Sequence, residues 1–169
     1  METSRQPVAR RYIYNGESHA TERDMIMHVL DEFRCTEAFG AEYVPLWLAT
    51  SDNEWVRGGL RVGGQREAVH ARLMEERLRE LGGVPRCTVP PEVRKRKLAF
   101  YGSTELKDRG KLRDEAAEIG DPVQALKVYT DVIDQIEEDR ETKALLHWII
   151  QDELTTIRWV METSALLNR

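Results

Sequence analysis

The chain has 169 residues, a formal net charge of −5, 41% hydrophobic and 33% charged residues, which suits one globular core with a well-solvated surface. The acidic balance, with a pI near 5.5, argues against general nucleic-acid binding, which needs a basic face to neutralise phosphates. No apolar run approaches the ~20 residues of a membrane span. Two cysteines, Cys35 and Cys87, with no CxxC or Cys/His cluster exclude a thiolate zinc site and fit a reducing cytoplasm.

Residues 1–20 lack the apolar core of a signal peptide and read as a loosely held N-terminal arm. No alternating strand pattern is expected anywhere. The first predicted helix runs from about Thr21 to about Ala49, with the stripe Ile26, Leu30, Phe33, Glu37, Gly40, Val44, Trp47 in steps of four and three. Pro45 is expected to kink its last turn or end it early. The second begins at "SDNEW", where Ser51 and Glu54 read as a capping box. Its stripe is Val56, Leu60, Gly63, Glu67, His70, Met74, Leu78, Leu81, stopped by Gly82-Gly83. The interior pairs Gly58-Gly59 and Gly63-Gly64 cost about 1 kcal/mol per glycine relative to alanine, so they are expected to mark close backbone packing or a local distortion.

A crossover over 84–120 opens with "VPRCTVPPEV" and regains helical character between Glu92 and Phe100 and between Thr104 and Ile119. Its "RKRK" at 94–97 reads as a solvated face. The third helix is capped by Asp121, with Pro122 in its first turn and a face of Leu126, Tyr129, Ile133, Ile136. The fourth follows a turn near Asp139 and presents Leu145, Ile149, Glu153, Thr156, Val160, Thr163, Leu167. Residues 21–169 are thus expected to form an all-α four-helix bundle with one long crossover between its second and third helices.

Three carboxylates interrupt these apolar stripes near mid-helix, Glu37, Glu67 and Glu153, and His70 joins them. A charge on a core face is costly unless paired or coordinated. Several acids converging from facing helices repel, and need a cation or protons between them. Taken singly, each has a plainer reading. Glu37 falls on a flank if the helix phase is off by one. Glu67 suits a surface acid, His70 a hydrogen-bonded core histidine, and Glu153 a surface pair with Asp152. Glu67 and His70 at i, i+3 in one stripe favour ligand geometry.

Elsewhere Tyr129, Trp148, Trp159 and Trp47 are expected in the core, and His147 at the surface. His28 and Glu32 are expected to form a surface pair, and Cys35 falls off its stripe beside Glu37's turn. No phosphate loop, nucleophile elbow or Ser/His/Asp arrangement is visible, and no catalytic residue is assigned.

These residues resemble the ferritin-like superfamily, closest to rubrerythrin-like proteins. That architecture supplies a Glu from one helix of each half and Glu-x-x-His from the other, all converging on a two-metal centre. Glu37 takes the single-acid place, "EAVH" supplies Glu67 and His70, "LMEERLRELGG" resembles the helix ending, and "IIQDELTTIRWV" resembles the fourth-helix segment. The resemblance implies one or two iron or manganese ions and a non-haem oxidoreductase. The second half departs from it: Thr156 stands where a histidine is expected, and Pro122 and Gln124 where the third helix should offer a Glu. The expectation is therefore an incomplete centre at Glu37, Glu67, His70 and Glu153. The alternative is a metal-free relative acting as a dimerisation or partner-binding module. A cytoplasmic homodimer that binds neither nucleic acid nor membrane is expected; no substrate is indicated.

Overall fold

Helix α1 (Glu22–Thr50) begins where the Thr21 hydroxyl accepts a hydrogen bond from the Asp24 backbone N–H at 3.0 Å. The computed structural model, which describes residues 11–169, continues α1 through Pro45 to Thr50. The expected early stop does not occur. Pro45 faces solvent, while Val44 and Trp47 beside it are buried. Burying that face outweighs the ~3 kcal/mol cost of an interior proline.

Helix α2 (Glu54–Glu80) is capped by Asn53, whose side-chain oxygen accepts from the Trp55 and Val56 N–H groups at 2.9 and 3.2 Å. Ser51 is not the cap. Its hydroxyl donates to Asp108 at 2.6 Å. The helix ends as expected: Gly82 adopts φ +76° and the Gly83 N–H returns to the Leu78 carbonyl.

The crossover holds two helices, α3 (Pro91–Gly102) and α4 (Asp108–Ile119), which pack against α1 and the C-terminal helix respectively. The start of α4 is pinned by two buried charges. Asp108 accepts from Trp47 Nε1 at 2.8 Å, from Ser51, and from the Asp52 and Asn53 N–H groups at 3.1 and 3.0 Å. Lys111 Nζ donates to Thr50 Oγ1 and to the Tyr101 and Ser103 carbonyls at 2.7–2.9 Å. The crossover is therefore built into the α1–α2 turn.

The expected third helix is broken. Asp121 caps α5 (Pro122–Ala125), and the chain re-enters a helix only at α6 (Lys127–Gln135). The break falls at Leu126, whose side chain is buried. Helix α7 (Arg140–Leu167) is capped by Asp139. The buried Glu22 carboxylate secures the turn before it, accepting from the N–H groups of Glu137, Glu138 and Asp139.

A β-hairpin precedes the helices, where no strand was expected. Strands β1 (Tyr12–Tyr14) and β2 (Glu17–His19) join through Asn15-Gly16, with φ 48° and 79°, an Asn-Gly turn of the type that closes tight hairpins. Three residues per strand are too few to show a period in the sequence. Gln135 clamps the hairpin by accepting from the Ile13 N–H at 2.7 Å and donating to its carbonyl at 2.8 Å. The arm expected over 1–20 is thus packed structure from Tyr12 onward; residues 1–10 lie outside the described residues.

The described residues are mainly helical, with seven helices and this one hairpin. Their apolar side chains form two clusters. One centres on Met25, Leu30, Phe33, Met74, Ile136 and Ile150; the other on Trp47, Leu60, Tyr101, Leu112 and Val160. On α1 and α2 the interrupting acids fall between the part of the helix in one cluster and the part in the other, whereas on α7 Glu153 lies between Ile150 and Ile157 of the first cluster. Trp47 is buried and Tyr129 stacks on Phe33 with centroids 4.0 Å apart, but Trp148 is 74% exposed and is no core residue. No helix among the described residues is long and apolar enough to cross a membrane.

Candidate metal centre

Three of the four side chains singled out from the sequence, Glu37, His70 and Glu153, meet in the interior, and Glu67 stands apart from their common point, on the wall of a large cavity that Glu37 and Glu153 also line. Glu37 and His70 are each 3% exposed, and Glu67 and Glu153 are half-buried. His70 Nδ1 lies 3.1 Å from Glu37 Oε2 and 3.2 Å from Glu153 Oε1, so α1, α2 and α7 each bring one donor to a common point. On the far side of the ring, Nε2 lies 3.2 Å from Asp152 Oδ2. Both acids of the "DE" pair on α7 therefore face the histidine, one on each nitrogen.

One N–H at Nδ1 cannot serve two carboxylates. It is directed at Glu37, and the buried Glu153 Oε1 is left without a well-directed hydrogen-bond partner. A buried acceptor in that condition costs free energy.

Glu67 is placed by a glycine. A Cβ built on Gly40 of α1 would stand 2.1 Å from Glu67 Oε2 and 2.7 Å from its carboxyl carbon. Only glycine at this position lets the carboxylate lie against the α1 backbone. Two of the other glycines serve packing, since a Cβ on Gly59 would meet Trp159 and one on Gly64 would meet Val44. Gly58 and Gly63 face open space.

The electrostatics follow from burial. Burial raises Glu37 to about 7, with Glu153 adding to the rise and His70 opposing it. Burial also holds Glu67 well above the ordinary carboxylate range, with Glu37 and Glu153 adding to the effect. For His70, burial works against the charged ring, but the carboxylates of Glu153, Glu37 and Asp152 outweigh it and raise the imidazole to about 10. Without a metal, these neighbours favour the imidazolium form of His70, while burial favours the protonated forms of Glu37 and Glu67.

Two contributors do not stand out in the sequence. Glu115 of α4 lines two cavities together with Glu67, Glu153 and Tyr43, one of about 150 Å³ and one of about 790 Å³. Burial raises its carboxyl, and Lys97 opposes the rise. Lys97 Nζ sits 2.6 Å from Glu118 and 3.7 Å from Glu115, so this member of "RKRK" turns to the acids and is not part of a solvated face. The signal for Glu115 is present in Leu112, Glu115, Ala116 and Ile119, an apolar stripe carrying one acid. The flanking glycines disguise it as a connection.

Gln124, in the place where an acid was sought, is exposed, and so are Asp131 and Asp134. Thr156 lines the smaller cavity and accepts a 3.4 Å hydrogen bond from Arg66. The thiols of Cys35 and Cys87 contact each other at the wall of the larger cavity, where burial and that contact push Cys87 up to about 12, the condition of an unreactive thiol. Comparison with protein-family models, with curated proteins and with solved structures finds no match.

Proposed function

We propose that the chain is a ferritin-like, rubrerythrin-like bundle protein that holds one or two iron or manganese ions at Glu37, Glu67, His70 and Glu153 and uses them in oxidoreductase chemistry. In this reading α1, α2 and α7 are three of the bundle's helices. The fourth place is shared by α4 and α5–α6, which all pack on α7. Glu115, which lines both cavities with Glu67 and Glu153, would then stand in for the acid missing from the third helix, and Thr156 for histidine would be the remaining departure.

The orphaned oxygen of Glu153 is the observation that carries the proposal. A cation replacing the proton on His70 Nδ1 would satisfy Glu37 and Glu153 together, which a proton cannot. The residues fit such an ion in two further respects. Gly40 leaves a notch that keeps the Glu67 carboxylate in the interior, and Asp152 fixes the ring from Nε2 as metal-bound histidines are usually fixed. A carboxylate-rich set with one imidazole suits iron(II) or manganese(II) rather than softer ions. When bound, such an ion supplies a redox couple and open coordination positions. The chain's own residues then supply the carboxylates, orient His70, and admit a small molecule through the 790 Å³ cavity.

The test is elemental analysis of purified, unchelated protein by mass spectrometry, beside the Glu67→Ala/His70→Ala variant. One to two iron or manganese ions per chain, lost in the folded variant, is the expected result. A second reading, a metal-free module that binds a partner or a second copy, is favoured by one observation. Trp148 and Val69 stand 74% and 42% exposed on a groove of about 260 Å³ between α2 and α7. Metal near zero in a folded wild-type protein would sink the metal centre and turn attention to that groove.

A further inference from the structure

A second set of metal-ligating side chains lies outside the interior cluster, where the hairpin folds against α1. Period two in β2 places Glu17 and His19 on one face of the strand. His28 and Glu32, four residues apart, share one face of α1. The Asn15-Gly16 turn and the short link from His19 to Glu22 bring these faces together.

His28 Nδ1 lies 3.4 Å from His19 Nε2 and 3.7 Å from Glu17 Oε2, and the three donor atoms lie within 4.8 Å of one another. On the other side of the ring, His28 Nε2 lies 3.3 Å from Glu32 Oε1. A ring-to-ring separation of 3.4 Å is long for a nitrogen–nitrogen hydrogen bond. It matches the edge of a tetrahedron: Zn–N bonds of about 2.0–2.1 Å put neighbouring donors about 3.4 Å apart. The Glu32 carboxylate on the remote nitrogen is the second, independent feature. A carboxylate placed there selects the tautomer that offers Nδ1 to a metal. The Tyr14 ring, edge-on at 5.1 Å, packs against the same imidazole.

We infer that Glu17, His19 and His28 form a zinc(II) site, with Glu32 orienting His28 and water at the open fourth position. Two imidazoles and one carboxylate are a donor set for a borderline ion, unlike the carboxylate-rich interior. The site is near the surface, with His28 and Glu32 side chains 27% and 37% exposed, so the fourth position is open to solvent. The hairpin also contributes Tyr14 and Asn15 to the wall of the large acid cavity. Zinc there fastens that wall to α1.

The test is zinc titration of the metal-stripped full chain in competition with a chromophoric chelator. The variants are His19→Ala, Glu17→Gln and the interior Glu67→Ala/His70→Ala, each checked for helicity by circular dichroism. The interior variant is expected to bind one zinc ion with wild-type affinity, and adding His19→Ala to it is expected to weaken binding at least ~30-fold. Zinc should also shift the imidazole nitrogen resonances of His19 and His28 in the interior variant. Equal zinc affinity with and without His19, or unshifted resonances, would overturn the site. If His19→Ala fails to fold, the exposed Glu17→Gln decides: unchanged affinity overturns the site and a clear loss supports it. The interior centre is absent from the variant used, so its own success or failure does not bear on the outcome.

Discussion

Replacing Gly40 with alanine separates the metal reading from a purely structural one. Alanine in mid-helix gains about 1 kcal/mol over glycine, and Gly40 sits well inside α1. The new methyl would stand 2.1 Å from Glu67 Oε2 and 3.2 Å from its Cγ, so the carboxylate must swing out of its notch. What it meets is the far end of a flexible side chain, and the open cavity of about 790 Å³ beside Glu67 can receive it. The spacing of α1 and α2 therefore survives. Glu67 is also an acid that burial holds well above the ordinary range, so moving it toward water removes a cost of the metal-free fold.

Gly40→Ala is accordingly expected to leave the metal-free protein as stable as wild type or up to about 1 kcal/mol more stable in urea unfolding. Iron(II) or manganese(II) affinity should fall at least ~10-fold, about 1.4 kcal/mol, in a chelator competition. The double variant with Glu67→Gln should bind no more weakly than Glu67→Gln alone, because both changes remove the same ligand. Unchanged metal affinity in a folded Gly40→Ala protein would refute the role given to Glu67. A stability loss of several kcal/mol would refute the argument that only a side-chain end is displaced.

Stability of the metal-free protein is expected to fall as pH rises from about 5 to about 9. Between 4.5 and about 7 the folded chain retains a Glu37 proton that the unfolded chain has released. Between 6.5 and about 10 it retains one on His70. The folded state binds more protons throughout, so raising the pH favours unfolding, by at most about 1.4 kcal/mol per pH unit for each proton retained. Urea midpoints across this range, flat or rising, would contradict the assignment; bound metal, which requires the deprotonated ligands, should reverse the trend. Asp108→Ala should cost about 3 kcal/mol or more in urea unfolding, since it strips acceptors from Trp47, Ser51 and two backbone N–H groups; a loss under about 1 kcal/mol would show that water replaces them. Thr156→His should raise the metal content toward two ions per chain, measured by elemental analysis, because Thr156 shares a cavity with Glu67, Glu115 and Glu153; unchanged content would place the second ion's ligands elsewhere.

The convergence of Glu37, His70 and Glu153, with Glu67 on the same cavity wall, was legible because long helices preserve phase. A carboxylate in step with leucines over several turns must point where they point. The hairpin was not legible, because three residues per strand carry too little pattern and only Asn15-Gly16 marked it. Asn53 displaced Ser51 as cap through a tertiary demand: Asp108, fifty-seven residues from Ser51, claims its hydroxyl. Glu115 escapes notice for a related reason. Gly110 and the Gly120-Asp121-Pro122 break suggest a connection, whereas the helix between them is held in place by Asp108 and Lys111 at its N-terminal end. Trp148 failed in the opposite sense, since helical spacing places a residue on a face but does not say that the face is covered.

The cost of the cluster argues that its acids are there for a ligand. Glu37, Glu67 and Glu115 all have carboxyls raised by burial. A raised carboxyl is one whose ionised form the interior disfavours, so keeping each of the three inside works against the metal-free fold at neutral pH. Gly40 adds the penalty of a mid-helix glycine solely to let one of those carboxylates approach the backbone. Apolar side chains of similar volume would fill the same space at lower cost. His70 and Lys97 supply positive charge beside the acids, yet Glu153 Oε1 remains without a well-directed hydrogen-bond partner. A divalent cation between Glu37, His70 and Glu153 would offset the costs of that group together, by ionising Glu37, freeing the imidazole of its proton and giving the Glu153 oxygen a partner.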